Sequence, residues 1–136
     1  MGTTYSTELI MITTIQHVSF FVKNTQKSLH FYQDILGLKL DHHRPDLGYA
    51  GAWLTLGENN QIHLLELKNP DPTENRPEHG GRDRHVAFTV THFEQLKEKL
   101  QQANIAYTLS CSGRAALFCR DYDGNTLEFI EDGDNV

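Results

Sequence analysis

The sequence predicts an α+β protein made of two copies of one βαβββ module, and two observations carry that expectation. Arg84-His85-Val86-Ala87-Phe88-Thr89-Val90 repeats the His-Val-small-Phe-x-Val pattern of Gln16-His17-Val18-Ser19-Phe20-Phe21-Val22 in the same phase. Each copy is then followed by an amphipathic helical stretch and three short apolar runs. Strand alternation puts Val86, Phe88 and Val90 on one face and His85, Ala87 and Thr89 on the other, and it divides the first copy likewise. Two strands that each bury a Val-Phe-Val face and hold one imidazole opposite it point to a duplicated unit with a polar cleft between the copies.

The elements follow in chain order. Residues 1–11 lack usable periodicity, end on a second Met and are set aside as a flexible leader. A strand is expected over Ile12 to Val22. Asn24 or Thr25 can cap a helix to about Leu36, with Leu29, Tyr32, Ile35 and Leu36 as its apolar stripe and Gly37 as its end. Strands are expected from Leu38 to His42, Ala52 to Leu56 and Gln61 to Leu67, the last after the turn Gly57-Glu58-Asn59-Asn60. From Lys68 to Asp83 three prolines and two glycines stand among charged residues without an apolar pattern. This is read as a linker, long enough to be a candidate lid. The second module opens with Arg84 to Val90. It continues with a helix begun by a Thr91-His92-Phe93-Glu94 capping box, with stripe Phe93, Leu96, Leu100 and Ala103 and an end at Asn104. Strands Tyr107 to Ser110, Ala115 to Arg120 and Asn125 to Glu131 complete it, the last two joined by the turn Asp121-Tyr122-Asp123-Gly124. The reading is one domain over 12–131, with modules 12–67 and 84–131, linker 68–83 and a flexible tail 132–136.

The chain has 136 residues, 38% of them hydrophobic, enough for one domain core. A formal net charge of −6 argues against a nucleic-acid or anionic-membrane surface, which needs concentrated Lys and Arg. No apolar run approaches the roughly 20 residues of a membrane helix, and residues 1–11 lack the form of a secretory signal, so a cytoplasmic protein with small-molecule partners is expected. The two cysteines, Cys111 and Cys119, have no CxxC spacing and are read as reduced thiols.

The candidate chemistry lies in the duplicated frame. His17 and His85 open the first strand of each module, while His63 and Glu128 occupy the last strand of each. All four are good ligands for a divalent metal. Alternation turns Glu128 away from Leu127 and Phe129, as it turns His85 away from Val86 and Phe88. Leu65 and Leu67 share the face of His63, so part of that wall is apolar, which suits a partly apolar ligand. His30, His42, His43, His79 and His92 are read as solvated, with His79 beside Gly80-Gly81 also a candidate lid residue. Trp53 and Tyr49 either line the cleft or pack, and packing is the preferred reading.

These residues carry a resemblance. The strand-opening His17 and His85, the stretch Ser28-Leu29-His30-Phe31-Tyr32 to Leu36-Gly37-Leu38, and the ending Phe118-Cys119-Arg120-Asp121-Tyr122-Asp123-Gly124-Asn125-Thr126-Leu127-Glu128 resemble the vicinal-oxygen-chelate superfamily. That superfamily includes glyoxalase I, fosfomycin-modifying enzymes, bleomycin-binding proteins, methylmalonyl-CoA epimerase and extradiol dioxygenases. The resemblance implies a glyoxalase-like cup: paired βαβββ modules whose open sheets surround one metal, with His17, His63, His85 and Glu128 as ligands. The metal would be Zn, Ni, Mn, Co or Fe. Relatives with glyoxalase I activity usually carry Glu where this chain has His63, which leaves Glu128 as the natural base. Basic residues near the end of the chain hold anionic substrate in fosfomycin-modifying relatives, which makes Arg114 and Arg120 candidate substrate-binding residues. Relatives usually carry Pro at the position of Tyr122. The implied function is a metal-dependent isomerase, lyase or thiol transferase acting on a small substrate with vicinal oxygens, with a possible thiol cosubstrate, in a homodimer. A metal-free binding protein of the bleomycin-sequestering kind and an iron-dependent extradiol dioxygenase are the alternatives; the triad His17, His85 and Glu128 matches the latter.

Overall fold

The structure is a computed structural model that describes residues 9–133. The first eight residues of the expected leader and the last three of the expected tail lie outside the described residues. The predicted duplication is present as two four-stranded sheets. In the first, β1 (His17–Phe21), β2 (Lys39–Asp41), β3 (Gly51–Leu56) and β4 (Asn60–Leu65) lie in the order β1-β4-β3-β2. In the second, β5 (Val86–Val90), β6 (Tyr107–Leu109), β7 (Ala116–Arg120) and β8 (Thr126–Glu131) lie in the order β5-β8-β7-β6. The first and last strands of each module are therefore neighbours, and they run parallel, whereas the other pairs are antiparallel. The strand expected from Ile12 begins only at His17. Residues Leu9 to Ile12 and Ile15 stay exposed, so apolar content there does not signal a strand with a partner.

Helix α1 (Thr25–Leu29) starts at Asn24, whose Oδ1 accepts from the Lys27 N–H at 3.0 Å. It then widens into a π-helical segment, His30–Ile35, in which the Leu36 N–H reaches the Phe31 carbonyl at 3.0 Å. The wider turn lets the adjacent Phe31 and Tyr32 both become fully buried. A stripe drawn at the α-helical period includes Tyr32 and misses Phe31. Helix α2 (Phe93–Gln102) buries Phe93, Leu96 and Leu100 as expected. Its capping box does not form. His92 holds the cap position without a side-chain bond to the helix backbone, and the Thr91 hydroxyl is engaged by His92 Nδ1 at 2.8 Å. Asn104, at φ 59°, turns the chain away after the helix.

Each sheet buries one face under its helix. Phe20, Ala52, Leu54, Ile62 and Leu64 face α1 and the π segment; Leu117, Cys119, Leu127 and Phe129 face α2; and both sets belong to one continuous core. Each buried Phe, Leu or Ile of these sets stabilises the fold by about 1.5–3 kcal/mol relative to exposure. The β7–β8 hairpin joins the halves. The Tyr32 hydroxyl donates to Asp121 Oδ2 at 2.6 Å, the Lys23 N–H to Asp123 Oδ1 at 3.0 Å, and Asn125 Nδ2 to the Phe21 carbonyl at 3.2 Å. Tyr122, where relatives usually carry Pro, places its ring against Phe31 and His30. Burial raises the pKa of both Tyr32 and Asp121, although bonds from Tyr32 and Asn125 oppose the rise at Asp121. The opposite, open faces carry the polar residues of interest.

Candidate functional site

On the open face of the first sheet, alternation aligns His17, Trp53, Gln61 and His63. Trp53 lies across from His63 on β3 and β4, and their rings stack with centroids 4.4 Å apart. His17 stacks on the other side of His63 at 3.9 Å, forming a three-ring column across β3, β4 and β1. Trp53, read as lining the cup or packing with packing preferred, thus lies beside a predicted ligand. Gln61 fixes the orientation of His63. The Gln61 Nε2 donates to Asp41 Oδ2 at 2.7 Å, which turns its Oε1 toward His63 Nε2 at 2.8 Å. A carbonyl oxygen only accepts, so Nε2 carries the proton and Nδ1 keeps its lone pair. Burial, then the neighbouring His17 and Arg44, lower the His63 pKa and favour that neutral ring. Asp41 is partly buried, and its carboxyl is held at about 2 by the His43 N–H, the His43 ring and Gln61.

The second sheet repeats this geometry with different chemistry. Ser19 lies opposite His63 in the β1–β4 register, and Ala87 opposite Glu128 in the β5–β8 register. In each module the strand-opening histidine is two residues before that partner and reaches diagonally to it. His85 Nε2 is 3.1 Å from Glu128 Oε1, and its ring packs edge-on against Phe118. The other ring nitrogen, Nδ1, donates to the Asp83 carbonyl at 2.8 Å. In the neutral ring that bond leaves Nε2 as a lone pair facing a carboxylate oxygen. Two acceptors at this distance require a cation between them, either a proton or a metal ion. Arg114, itself largely exposed, approaches the other carboxylate oxygen at 3.4 Å.

The linker covers much of this second face. Gly80 sits against Phe118 and Thr126, where an added Cβ would come within 2.8 Å of both side chains. Gly80–Arg82 forms a short 3₁₀ turn. His79, expected to be solvated or part of a lid, bonds Thr108 Oγ1 at 2.9 Å and meets the Phe118 ring. Asp83 anchors the segment. Its side chain is 5% exposed and pairs with Arg76 and with Arg120 Nη1, the latter at 2.8 Å. Burial favours the neutral acid, but bonds from Arg76, Arg120 and the Arg84 N–H outweigh it and hold the carboxyl well below the usual range. Arg120, expected to bind substrate, has its donors engaged by Asp83, Thr126, the Gly124 carbonyl and the Pro77 carbonyl.

The four expected ligands therefore come together as two pairs, His17 with His63 and His85 with Glu128. Among the described residues of one chain, no three His, Cys, Asp or Glu side chains converge on one metal position. A cleft of ≈ 270 Å³ between the halves is lined by Ser19 and Phe21 from the first and His85 and Asn125 from the second. Pattern reading missed Asp83, Gln61 and Asp41. Gln61 was accessible, because a residue two before His63 in a strand must share its face. Asp83, between Arg82 and Arg84, offered only a local charge alternation.

Known proteins resemble the chain in fold and sequence. The sequence profile of the Glyoxalase/Bleomycin resistance protein/Dioxygenase superfamily matches residues 14–129. The chain is 29% identical over 123 residues to Glyoxylase I 4 of Arabidopsis thaliana, covering 86% of this chain and 70% of that protein. It is 31% identical over 121 residues to the glutathione transferase FosA of Serratia marcescens, covering 87% of this chain and 80% of that protein. A putative glyoxalase family protein from Bacillus anthracis superposes with a TM-score of 0.74 at 22% identity, covering 92% of this chain and 99% of the other. A mutant of the fosfomycin resistance protein FosX from Listeria monocytogenes, in complex with Mn(II) and 1S,2S-dihydroxypropylphosphonic acid, superposes with a TM-score of 0.70 at 15% identity, covering 92% and 97%. No helix among the described residues is long and apolar enough to cross a membrane.

Proposed function

The chain belongs to the Glyoxalase/Bleomycin resistance protein/Dioxygenase superfamily, and from that premise we propose that it is a metal-dependent enzyme of the glyoxalase type. It acts on a small substrate with vicinal oxygens, by isomerisation, lyase chemistry or thiol transfer. Similarity to Glyoxylase I 4 and to FosA supports an enzyme of this group. The observation that carries the metal is the His85–Glu128 pair, in which an imidazole nitrogen lies 3.1 Å from a buried carboxylate oxygen.

The donor set fits a divalent transition metal. Imidazole and carboxylate are the ligand types of Zn, Ni, Mn, Co and Fe sites. A backbone carbonyl orients His85 and a side-chain amide orients His63, as metal-ligating histidines usually are. His17, His63, His85 and Glu128 would hold the ion, which supplies Lewis-acid stabilisation of a substrate oxyanion. Glu128 is the one carboxylate among the four ligands and serves as the base that moves a proton of the substrate. His85 lies against one of its oxygens and Arg114 against the other. Because the two donor pairs stand apart in one chain, the reading includes a homodimer. The His17–His63 pair of one copy then faces the His85–Glu128 pair of the other.

The test is metal content of the purified protein, with titration of Mn(II), Ni(II) and Zn(II) by calorimetry, on wild type and Glu128→Gln. About one ion per chain, weakened in the variant, supports the reading. Turnover of a methylglyoxal–glutathione adduct or of fosfomycin with a thiol then separates isomerisation from thiol transfer. Failure of every ion to bind would replace the enzyme with a metal-free binding protein.

A further inference from the structure

We propose that Arg44 forms an anion-binding subsite on the open face of the first sheet, where it holds a carboxylate, phosphate or phosphonate group of the ligand beside Trp53 and His63. The inference deepens the reading of the open faces as the ligand site. It is independent of whether a metal is bound.

The first observation is the absence of a counter-ion. Arg76 and Arg120 pair with Asp83, Arg84 with Asp71, and Arg114 with Glu128. Arg44, which is only partly exposed, has no carboxylate partner among the described residues. Its side chain makes one hydrogen bond, from Nη2 to the Tyr49 carbonyl at 2.8 Å. Its guanidinium lies over the Tyr49 ring, 5.3 Å from the centroid. Its Nε is buried without a partner. A partly desolvated guanidinium with unused donors is costly unless something accepts from it, and its planar fork matches a carboxylate or phosphonate.

The second observation is where the fork is held. A Cβ on Gly51 would collide with the Leu64 carbonyl oxygen and stand 3.0 Å from Arg44 Nη2, so the guanidinium lies close against the backbone at Gly51. Alternation places Gly51 on the same face as Trp53, away from the buried Ala52 and Leu54. Gly51 lies opposite Leu65, and Trp53 opposite His63, in the β3–β4 register. Arg44 thus lies beside the strand position two residues before Trp53, the outer ring of the column. Its positive charge contributes to lowering the His63 pKa. Asp41, the acid nearest this column, is already engaged by Gln61 and His43. An anionic substrate group at Arg44 would orient the remaining substrate oxygens toward His63.

Trp53 is the one tryptophan of the chain, so its emission reports on this position alone. Methylphosphonate titrated into the full-length protein, without added metal, is expected to change Trp53 emission saturably. Arg44→Met is expected to weaken binding at least tenfold. Arg44→Lys, which keeps the charge but not the fork, is expected to fall between. Thermal melts confirm that each variant is folded, and if Arg44→Met is not, Arg44→Lys decides alone. Mn(II) affinity, measured by calorimetry on the same proteins, is expected to be unchanged. Equal methylphosphonate affinity in wild type and a folded variant, or no binding by wild type, overturns the subsite and leaves the metal reading intact. Arg44-dependent anion binding by a protein that takes up no metal supports the subsite and removes the metal reading.

Discussion

The two sheets share a register and differ in what covers them. On the first, the diagonal pair is two imidazoles stacked beside a tryptophan, open to solvent and bordered by an arginine without a counter-ion among the described residues. On the second, the pair is an imidazole and a carboxylate, and Ala116, Phe118, Thr126 and Glu128 are all buried there. A covering segment held by Asp83 accounts for the difference. The duplicated backbone sets where His17, His63, His85 and Glu128 stand, and the segment between the copies sets how much water each face meets. Low water content on the second face strengthens charge interactions at Glu128, whereas the first face stays open to solvent.

Substitutions can break this contrast at different strengths. Glu128→Gln removes the only carboxylate of the set and is expected to lower turnover by about 10³-fold with little change in the melting profile, since general-base catalysis is worth roughly 10²–10⁴-fold. Turnover at the wild-type rate would exclude Glu128 as the base. Asp83→Asn leaves two arginines partly buried without their carboxylate and is expected to destabilise the fold by about 3–5 kcal/mol in urea unfolding. The pH dependence follows from the same residue. Its folded pKa is depressed, so its contribution is present above the unfolded value of about 3.9 and is lost as pH falls toward the folded one. Acid unfolding of Asp83→Asn should therefore lack this component, and an unchanged acid limb would remove Asp83 as the anchor. Gly80→Ala forces a methyl into Phe118 and Thr126 and should cost about 1–3 kcal/mol by the same measurement. His63→Asn, on the open face, should change stability by no more than about 0.5 kcal/mol while weakening metal uptake.

Alternation made the faces legible, because a period of two assigns every strand side chain once the Val-Phe-Val face is recognised as buried. The order of elements was legible for the same reason, and so was the matching of His17 with His85 and of His63 with Glu128. Other features depend on information that a local pattern does not contain. Phe31 enters the core through a π turn, while a stripe drawn at 3.6 residues assumes an α-helix. The expected strand start at Ile12 followed composition, although a strand also needs a partner for its backbone groups. Thr91 matches a capping box by type, but its hydroxyl bonds the adjacent ring. Asp83 and Arg120 meet only through tertiary structure, so Arg120 read as a candidate for substrate while its donors are engaged within the fold. Arg44 stood out only when every other partly buried arginine was seen to have a carboxylate.

The bond between Tyr32 and Asp121 also bears on how the chain folds, since it joins groups 89 residues apart. Each half can pair its own strands through shorter loops, and contacts of such large sequence separation are the slowest to form. Closure of the hairpin onto the π segment is then a late event. Tyr32→Phe should accordingly accelerate unfolding several-fold in stopped-flow denaturant jumps and leave the refolding rate nearly unchanged, giving a φ-value near zero if its equilibrium cost is about 1 kcal/mol. The hydroxyl that joins the halves would then act mainly as a kinetic clasp, setting how long the assembled cleft persists.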